Sequence, residues 1–202
     1  KEIEELRQGG LYRQLRILKS PQLPVSSIDG RKVINLSSNN YLGLATHPKL
    51  MAAAKAAIDN FGVGTAAVRT IIGTQTIHGE LETRLAAFKG TQAAVVLQSG
   101  FATNVAVVQS VLSDEKDLLV SDELNHASII DGGRLSKAKR FIYPHRDTKA
   151  LAQILEKNTA GTRRRLIVTD GVFSMEGDIA PLPEICDIAE RYEAMVMVDD
   201  AH

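Results

Sequence analysis

Cysteine is nearly missing from this 202-residue chain. Cys186 stands alone, so no disulfide framework can form within the chain, which fits a reducing compartment. An excess of charge of either sign is missing too. The 24 basic side chains are balanced by 24 acidic ones, leaving no field to gather nucleic acid or an anionic membrane surface. There is no run of about 18 apolar residues, and the opening "KEIEELRQGGLYRQL" is charged and amphipathic where a signal peptide would be apolar. Internal repeats and low-complexity segments are lacking as well. These absences predict a soluble, cytoplasmic protein with neither membrane nor nucleic-acid partners, and no metal site is expected.

With 44% hydrophobic residues, the chain is long enough for one sizeable core. The first ~60 residues read differently from the rest. A helix is expected to about Lys19, then a Pro-containing connection, a short strand near "KVINLSS" and a helix from Pro48 to Phe61. From Ala93 a regular alternation begins. Strand "AAVVLQ" leads to helix "FATNVAVVQSVL", "DLLVS" to "HASIIDGGRLSKA", "RFIY" to "KALAQILEK", and "RLIVTD" to "PEICDIAERY" and the final strand. Such alternation marks an α/β fold with a mostly parallel sheet flanked by helices. Residues 1–60 are therefore taken as an N-terminal helical and extended segment, and 61–202 as the first part of a larger domain. Cys186, within "LPEICDIAERY", is expected on the buried face of its helix.

The closing "EAMVMVDDAH" reads as a strand buried on both faces that delivers Asp199, Asp200 and His202 at its carboxyl end. A strand of this kind is normally followed by a crossover helix, so a longer protein whose C-terminal part is missing here is expected.

Several motifs bear on chemistry. "GVGTAA" (Gly62–Ala67) satisfies a dinucleotide-binding pattern, but it follows the helical stretch "KLMAAAKAAIDNF" and not a strand, so a loop closing a helix is the better account. "LQSGFATN" places Ser99, Gly100 and Phe101 where a strand turns into a helix, whose first amides suit a phosphate; a plain Ser99 cap fits equally well. "DELNHASIIDG" puts His126 near a helix start, with Asn125 or Ser128 as capping residues, whereas His47, His78 and His145 read as structural or exposed. "VTDGVFSMEGD" brings Asp170 and Ser174 to the same rim, although "EGD" also fits an ordinary turn. An anion cradle, a histidine able to stack on a ring and an acid for a heterocycle nitrogen together match the needs of pyridoxal phosphate.

The segments "SSNNYLGL", "VRTIIGTQ", "GTQAAVVLQSGFATN", "SDELNHASIIDG", "TDGVFSMEGD" and "VMVDDAH" together resemble the α-oxoamine synthases, pyridoxal-phosphate enzymes that join an amino acid to an acyl-CoA. The resemblance covers nearly the whole chain and implies the large domain of an aspartate-aminotransferase-like fold. It implies that the amides of Gly100 and Phe101, with Ser99, hold the cofactor phosphate and that His126 stacks on the pyridine ring. Asp199 would pair with the ring nitrogen, Ala201 would pack on the opposite face, and His202 would hydrogen-bond the phenolic oxygen. Asp170 and Ser174 would line the site, and Asn39 or Asn40 would lie near the substrate carboxylate. A homodimer is also implied, with the segment "GTAAVRTIIGTQ" near the partner's cofactor.

The lysine that bonds to the cofactor in this family follows the Asp-x-Ala-His segment, and no residue here corresponds to it. Lys137 in "LSKAK" is set aside, because it lies about 11 residues along the helix from His126, ~16 Å away at the helical rise. Condensation of glycine with acetyl-CoA is the expected reaction, and condensation of alanine with pimeloyl-CoA the alternative. A catalytically silent subunit is the reading from another class; retention of His126, Asp199 and His202 together argues against it.

Overall fold

The computed structural model describes residues 1–202, and its α/β alternation yields one parallel sheet. The chain separates into two units, Lys1–Glu80 and Leu81–His202.

In the second unit, α4 (Gly100–Val111), β3 (Leu118–Asp122), α5 (Ala127–Leu135), β4 (Lys139–Tyr143), α6 (Thr148–Asn158), β5 (Arg165–Asp170), α7 (Leu182–Arg191) and β6 (Met195–Asp199) follow in sequence. The strands pair in parallel in the order β4-β3-β5-β6. β3 and β5 are central, and their near-continuous apolar runs are buried on both faces, as a sheet covered by helices on both sides requires. Leu118, Val120 and Ile167 point to one face, where Leu151 and Leu155 of α6 and Ile185 and Ile188 of α7 meet them. Leu119, Leu166 and Val168 point to the other, against Val108, Leu112 and Ile129. Connections from β3 and β5 run in opposite directions across the sheet, so a topological switch point lies between them, and ligands bind at such crevices beyond the carboxyl ends of the strands.

Glycine sets the spacing of α4 and α5. A Cβ on Gly132 would meet the Asn104 carbonyl oxygen at 3.0 Å, and one on Gly133 would meet Leu119 Cδ2 at 2.8 Å. Glycine is costly within a helix, but here it lets α5 lie close to both α4 and the sheet.

The first unit is built locally. α1 (Glu2–Gln8) stops at Gly9 and Gly10, the latter at φ 67°, and does not continue to Lys19. Leu11, Leu15 and Ile17 are 70%, 90% and 61% exposed, so the expected apolar stripe buries nothing that would offset the cost of ordering a longer helix. β1 (Val25–Ile28) and β2 (Arg31–Ile34) form an antiparallel hairpin. Its two-residue turn, Asp29-Gly30, has φ 52° and 80°, the left-handed pair that a tight hairpin favours. A 3-10 turn (Leu44–Thr46) precedes α2 (Pro48–Phe61), which starts with proline and ends at Gly62 with φ 78°. Gly62 thus closes a helix, the context expected for "GVGTAA". In sequence, α3 (Thr76–Lys89) spans the junction between the units, a helix the sequence reading omitted.

Three further expectations are corrected. Ala93–Gln98 joins no strand ladder; Val95 is 74% exposed, and the Val96 amide donates to Glu82 Oε1 at 2.9 Å instead. An apolar segment becomes a strand only where a neighbour supplies the ladder. β6 is not buried on both faces, because β5 is its only paired neighbour; Met195 and Val198 are 41% and 37% exposed. Cys186 is exposed, because α7 turns Ile185, Ile188 and Ala189 inward. No helix is long and apolar enough to cross a membrane.

Candidate active site

At the carboxyl end of the sheet, Asp170 and Asp199 are paired neighbours on β5 and β6. Asp199 Oδ2 accepts a hydrogen bond from Asn104 Nδ2 at 2.7 Å, and Oδ1 accepts from the Ala201 amide at 3.1 Å. Asp170 Oδ2 accepts from the His126 amide at 2.9 Å, and the Asp170 amide donates to Asn125 Oδ1 at 2.8 Å. Asn125 also donates to Ser121 Oγ and to the Val168 carbonyl, each at 2.9 Å, which fastens the loop before α5 across β3 and β5. Burial raises the pKa of Asp170 above the ordinary carboxylate value; the His126 amide opposes the rise and the charge of Asp199 adds to it.

His126 caps α5 and is itself exposed. Its Nδ1 faces the Ser128 amide at 3.3 Å and Ser128 Oγ at 2.6 Å. At the start of α4, the side chain of Ser99 accepts from the Ala102 amide and its carbonyl from the Thr103 amide. The amides of Gly100 and Phe101 are left at the positive end of the helix, and a Cβ on Gly100 would meet nothing within 4 Å. The space beside Gly100 is thus open, next to two amides without an intrahelical partner.

The second unit therefore gathers Ser99, Gly100, Phe101, His126, Asp170, Asp199, Ala201 and His202 around α4, α5 and the ends of β5 and β6. Ser174 stands exposed on the loop after β5. Asn39 and Asn40 belong to the first unit, where Asn40 Nδ2 donates to the Gln22 carbonyl at 3.3 Å and Oδ1 accepts from the Ala45 amide at 3.1 Å. Lys137 is exposed beyond the end of α5, as expected.

Two groups escaped the sequence reading. Asn104 is a buried amide that directly precedes the apolar run "VAVV" of α4, an oddity its position could have flagged. His145, given a bland role, bridges two carboxylates: Nδ1 lies 3.0 Å from Asp122 Oδ1 and Nε2 lies 3.1 Å from Asp178 Oδ2. Its ring packs edge-on to Phe173 with centroids 4.4 Å apart. Burial works against its protonation, but the hydrogen bonds with Asp122 and Asp178 outweigh it and raise the pKa above the usual imidazole value. His145 thereby ties the loop bearing Ser174 to the ends of β3 and β4.

Residues 31–202 match the family model described as aminotransferase class I and II. Over its whole length the chain is 59% identical to the 8-amino-7-oxononanoate synthase of Thermosipho melanesiensis and covers 51% of it. It is 60% identical to the synthase of the same name from Symbiobacterium thermophilum, again covering 51%. Among solved structures, serine palmitoyltransferase from S. paucimobilis matches 98% of the chain at 32% identity with a TM-score of 0.89, half of that protein being covered. The 8-amino-7-oxononanoate synthase of Francisella tularensis matches 80% of the chain at 28% identity with a TM-score of 0.66, the match covering 43% of it. The chain belongs to the aminotransferase class I and II family, in its α-oxoamine synthase branch of pyridoxal-phosphate enzymes. It spans about half the length of the curated relatives it matches.

The residues present fit that cofactor. Two free amides beside open space suit its phosphate, and a carboxylate held at the end of the neighbouring strand suits a protonated ring nitrogen.

Proposed function

We propose that the full protein carrying this chain condenses alanine with pimeloyl-CoA, the reaction of an 8-amino-7-oxononanoate synthase. The observation that carries this reading is the 59–60% identity, along the whole chain, to relatives bearing that name. It displaces the expected glycine and acetyl-CoA pair, which rested on the segments "GTAAVRTIIGTQ" and "NHASIIDG".

When bound, pyridoxal phosphate supplies an electron sink for the pair released as the amino acid's Cα loses its proton. The chain's own residues bind and tune. The amides of Gly100 and Phe101, with Ser99 holding the helix start, receive the phosphate. The imidazole of His126 would pack on one face of the ring and Ala201 on the other. Asp199 would hold a proton on the ring nitrogen by charge pairing, and His202 would hydrogen-bond the phenolic oxygen. Asp170, by accepting from the His126 amide, keeps the ring-stacking histidine in place, and Ser174 lines the pocket on its loop. Asn39 or Asn40 would bind the substrate carboxylate.

A cytoplasmic homodimer belongs to the same proposal. Its support is the segment around "GTAAVRTIIGTQ", where Val63, Ile71 and Ile72 are 96%, 77% and 82% exposed in the single chain, an apolar surface of the kind that subunits cover. The lone cysteine supports the location.

Release of CoA by the full-length, cofactor-loaded protein tests the substrate assignment. Higher kcat/KM with alanine and pimeloyl-CoA than with glycine and acetyl-CoA is expected. A methyl group on the amino acid is worth only ~1–3 kcal/mol, so residual glycine activity is compatible. Faster release with glycine and acetyl-CoA overturns the assignment in favour of glycine C-acetyltransferase, and no release with either pair returns the silent subunit.

A further inference from the structure

We infer that Asn104 is a positioning residue whose one amide group sets two members of the site at once: the carboxylate of Asp199 and, through Ser128, the ring of His126. This rests on the cofactor roles proposed above for Asp199 and His126.

Asn104 is 5% exposed, and its Nδ2 lies 2.7 Å from Asp199 Oδ2 and 2.8 Å from Ser128 Oγ. A carboxylate only accepts, so the face of the amide turned to Asp199 must be the NH2 face. Both of its hydrogens are then used, one on each partner. Ser128 Oγ accepts from Asn104 and has its own hydrogen left to give. Its near neighbour is His126 Nδ1 at 2.6 Å, and the Ser128 amide also points at Nδ1, at 3.3 Å. Two donors converge on Nδ1, so that nitrogen bears a lone pair and the hydrogen of the neutral ring sits on Nε2. The relay runs Asp199, Asn104, Ser128, His126 with every step defined.

The backbone leaves this relay little slack. α5 packs on α4 at Asn104 itself, since a Cβ on Gly132 would meet the Asn104 carbonyl oxygen at 3.0 Å and the Val105 Cα at 3.3 Å. The two helices are in close contact at this point. Asn104 thus gives Asp199 a single orientation toward the ring nitrogen, while Ser128 holds the imidazole plane that lies on the ring. Ser128, seen locally, is only a residue near a helix start; the relay makes it the link between the two sides of the cofactor.

The test uses the full-length protein with Asn104→Ala, Asn104→Ser, Ser128→Ala and Asp199→Asn. Two readouts are taken: the Kd for pyridoxal phosphate, and the imidazole nitrogen resonances of His126 without cofactor, after labelling with 15N-histidine. Asn104→Ala is expected to weaken cofactor binding roughly 10- to 100-fold, the scale of a hydrogen bond to a charged group, and to turn the His126 signature into a mixture of tautomers. Ser128→Ala is expected to change the His126 signature as much as Asn104→Ala does but to weaken cofactor binding less, because Asp199 keeps its partner, an ordering that general destabilisation would not produce. Should Asn104→Ala fail to fold, Asn104→Ser, which can donate to only one of the two partners, is expected to disturb one readout more than the other. Wild-type Kd and wild-type His126 resonances in a folded Asn104 variant overturn the inference. If Asp199→Asn weakens binding while the Asn104 variants do not, the positioning role fails and the cofactor reading stands. If Asp199→Asn changes nothing, the cofactor reading fails, and the His126 resonances still decide the relay.

Discussion

Residues 1–80 and 81–202 belong to one chain but stand by different means. Up to Glu80, Ser26 and Gly73 alone are buried, whereas every buried apolar side chain of the molecule lies at or beyond Val108. The second region closes its own backbone ladders and covers both faces of β3 and β5. The first is held by caps and tight turns: the Asp29-Gly30 hairpin, proline at the start of α2, and the carboxylate of Asp29 accepting from the Ile17 amide at 2.9 Å. The difference shows that regular local structure does not need a core of its own. It does leave apolar side chains on the surface, and these are where assembly is proposed.

The sharpest way to break the comparison is chemical. If the second region carries the cofactor contacts, Asp199→Asn, nearly isosteric but unable to stabilise a positive ring nitrogen, should lower kcat on the order of 10²–10³-fold while circular dichroism stays unchanged. A folded variant at wild-type rate with matched cofactor occupancy would take the ring-nitrogen role from Asp199. Next in size is packing. Ile167→Ala, at a site with 0% exposure, should cost about 2–5 kcal/mol in urea denaturation, independent of protein concentration. Ile72→Ala should cost stability only in a form that varies with protein concentration, because its loss acts through assembly. A concentration-independent loss at Ile72 equal to that at Ile167 would show that the first region owns a core after all.

The His145 staple should contribute less. Its folded pKa is raised above the unfolded value, so the stabilisation is fully present below pH ~6.5 and disappears as pH rises through the folded pKa. His145→Asn should therefore lose about 1.5–3 kcal/mol at pH 5.5 and clearly less at pH 9. Equal losses at both values would mean that the ring acts by packing on Phe173 alone. The smallest effect is expected at the start of α6, where Asp147 Oδ1 accepts from the Ala150 amide at 2.9 Å; Asp147→Ala should cost about 1 kcal/mol, measured by thermal denaturation.

Much of the second region was legible because its signals are local. Apolar runs broken by polar turns mark β3, β4, β5 and the helices between them, and polar residues at their carboxyl ends mark the rim. Asp170, Asp199 and His126 were found for that reason. Where the pattern misled, a distant partner decided. "AAVVLQ" has the composition of a strand but no ladder, and "AMVMV" has the composition of a central strand but lies at an edge. The stripe after Gln8 has helical spacing and no surface to bury it.

By itself, then, the sequence determined the kind of most elements of the second region and the rim to which their polar groups would come, since helix periodicity, strand composition and turn residues act over a few neighbours. Only the tertiary structure decided which side chains meet. Asn104 reaches Asp199 across 95 positions and Ser128 across 24, and His145 reaches Asp178 across 33. Those contacts depend on how α4 and α5 pack and how the strands are ordered, so no local pattern carries them, and the hydrogen bonds from Asp199 through Asn104 and Ser128 to His126 exist only in the folded chain.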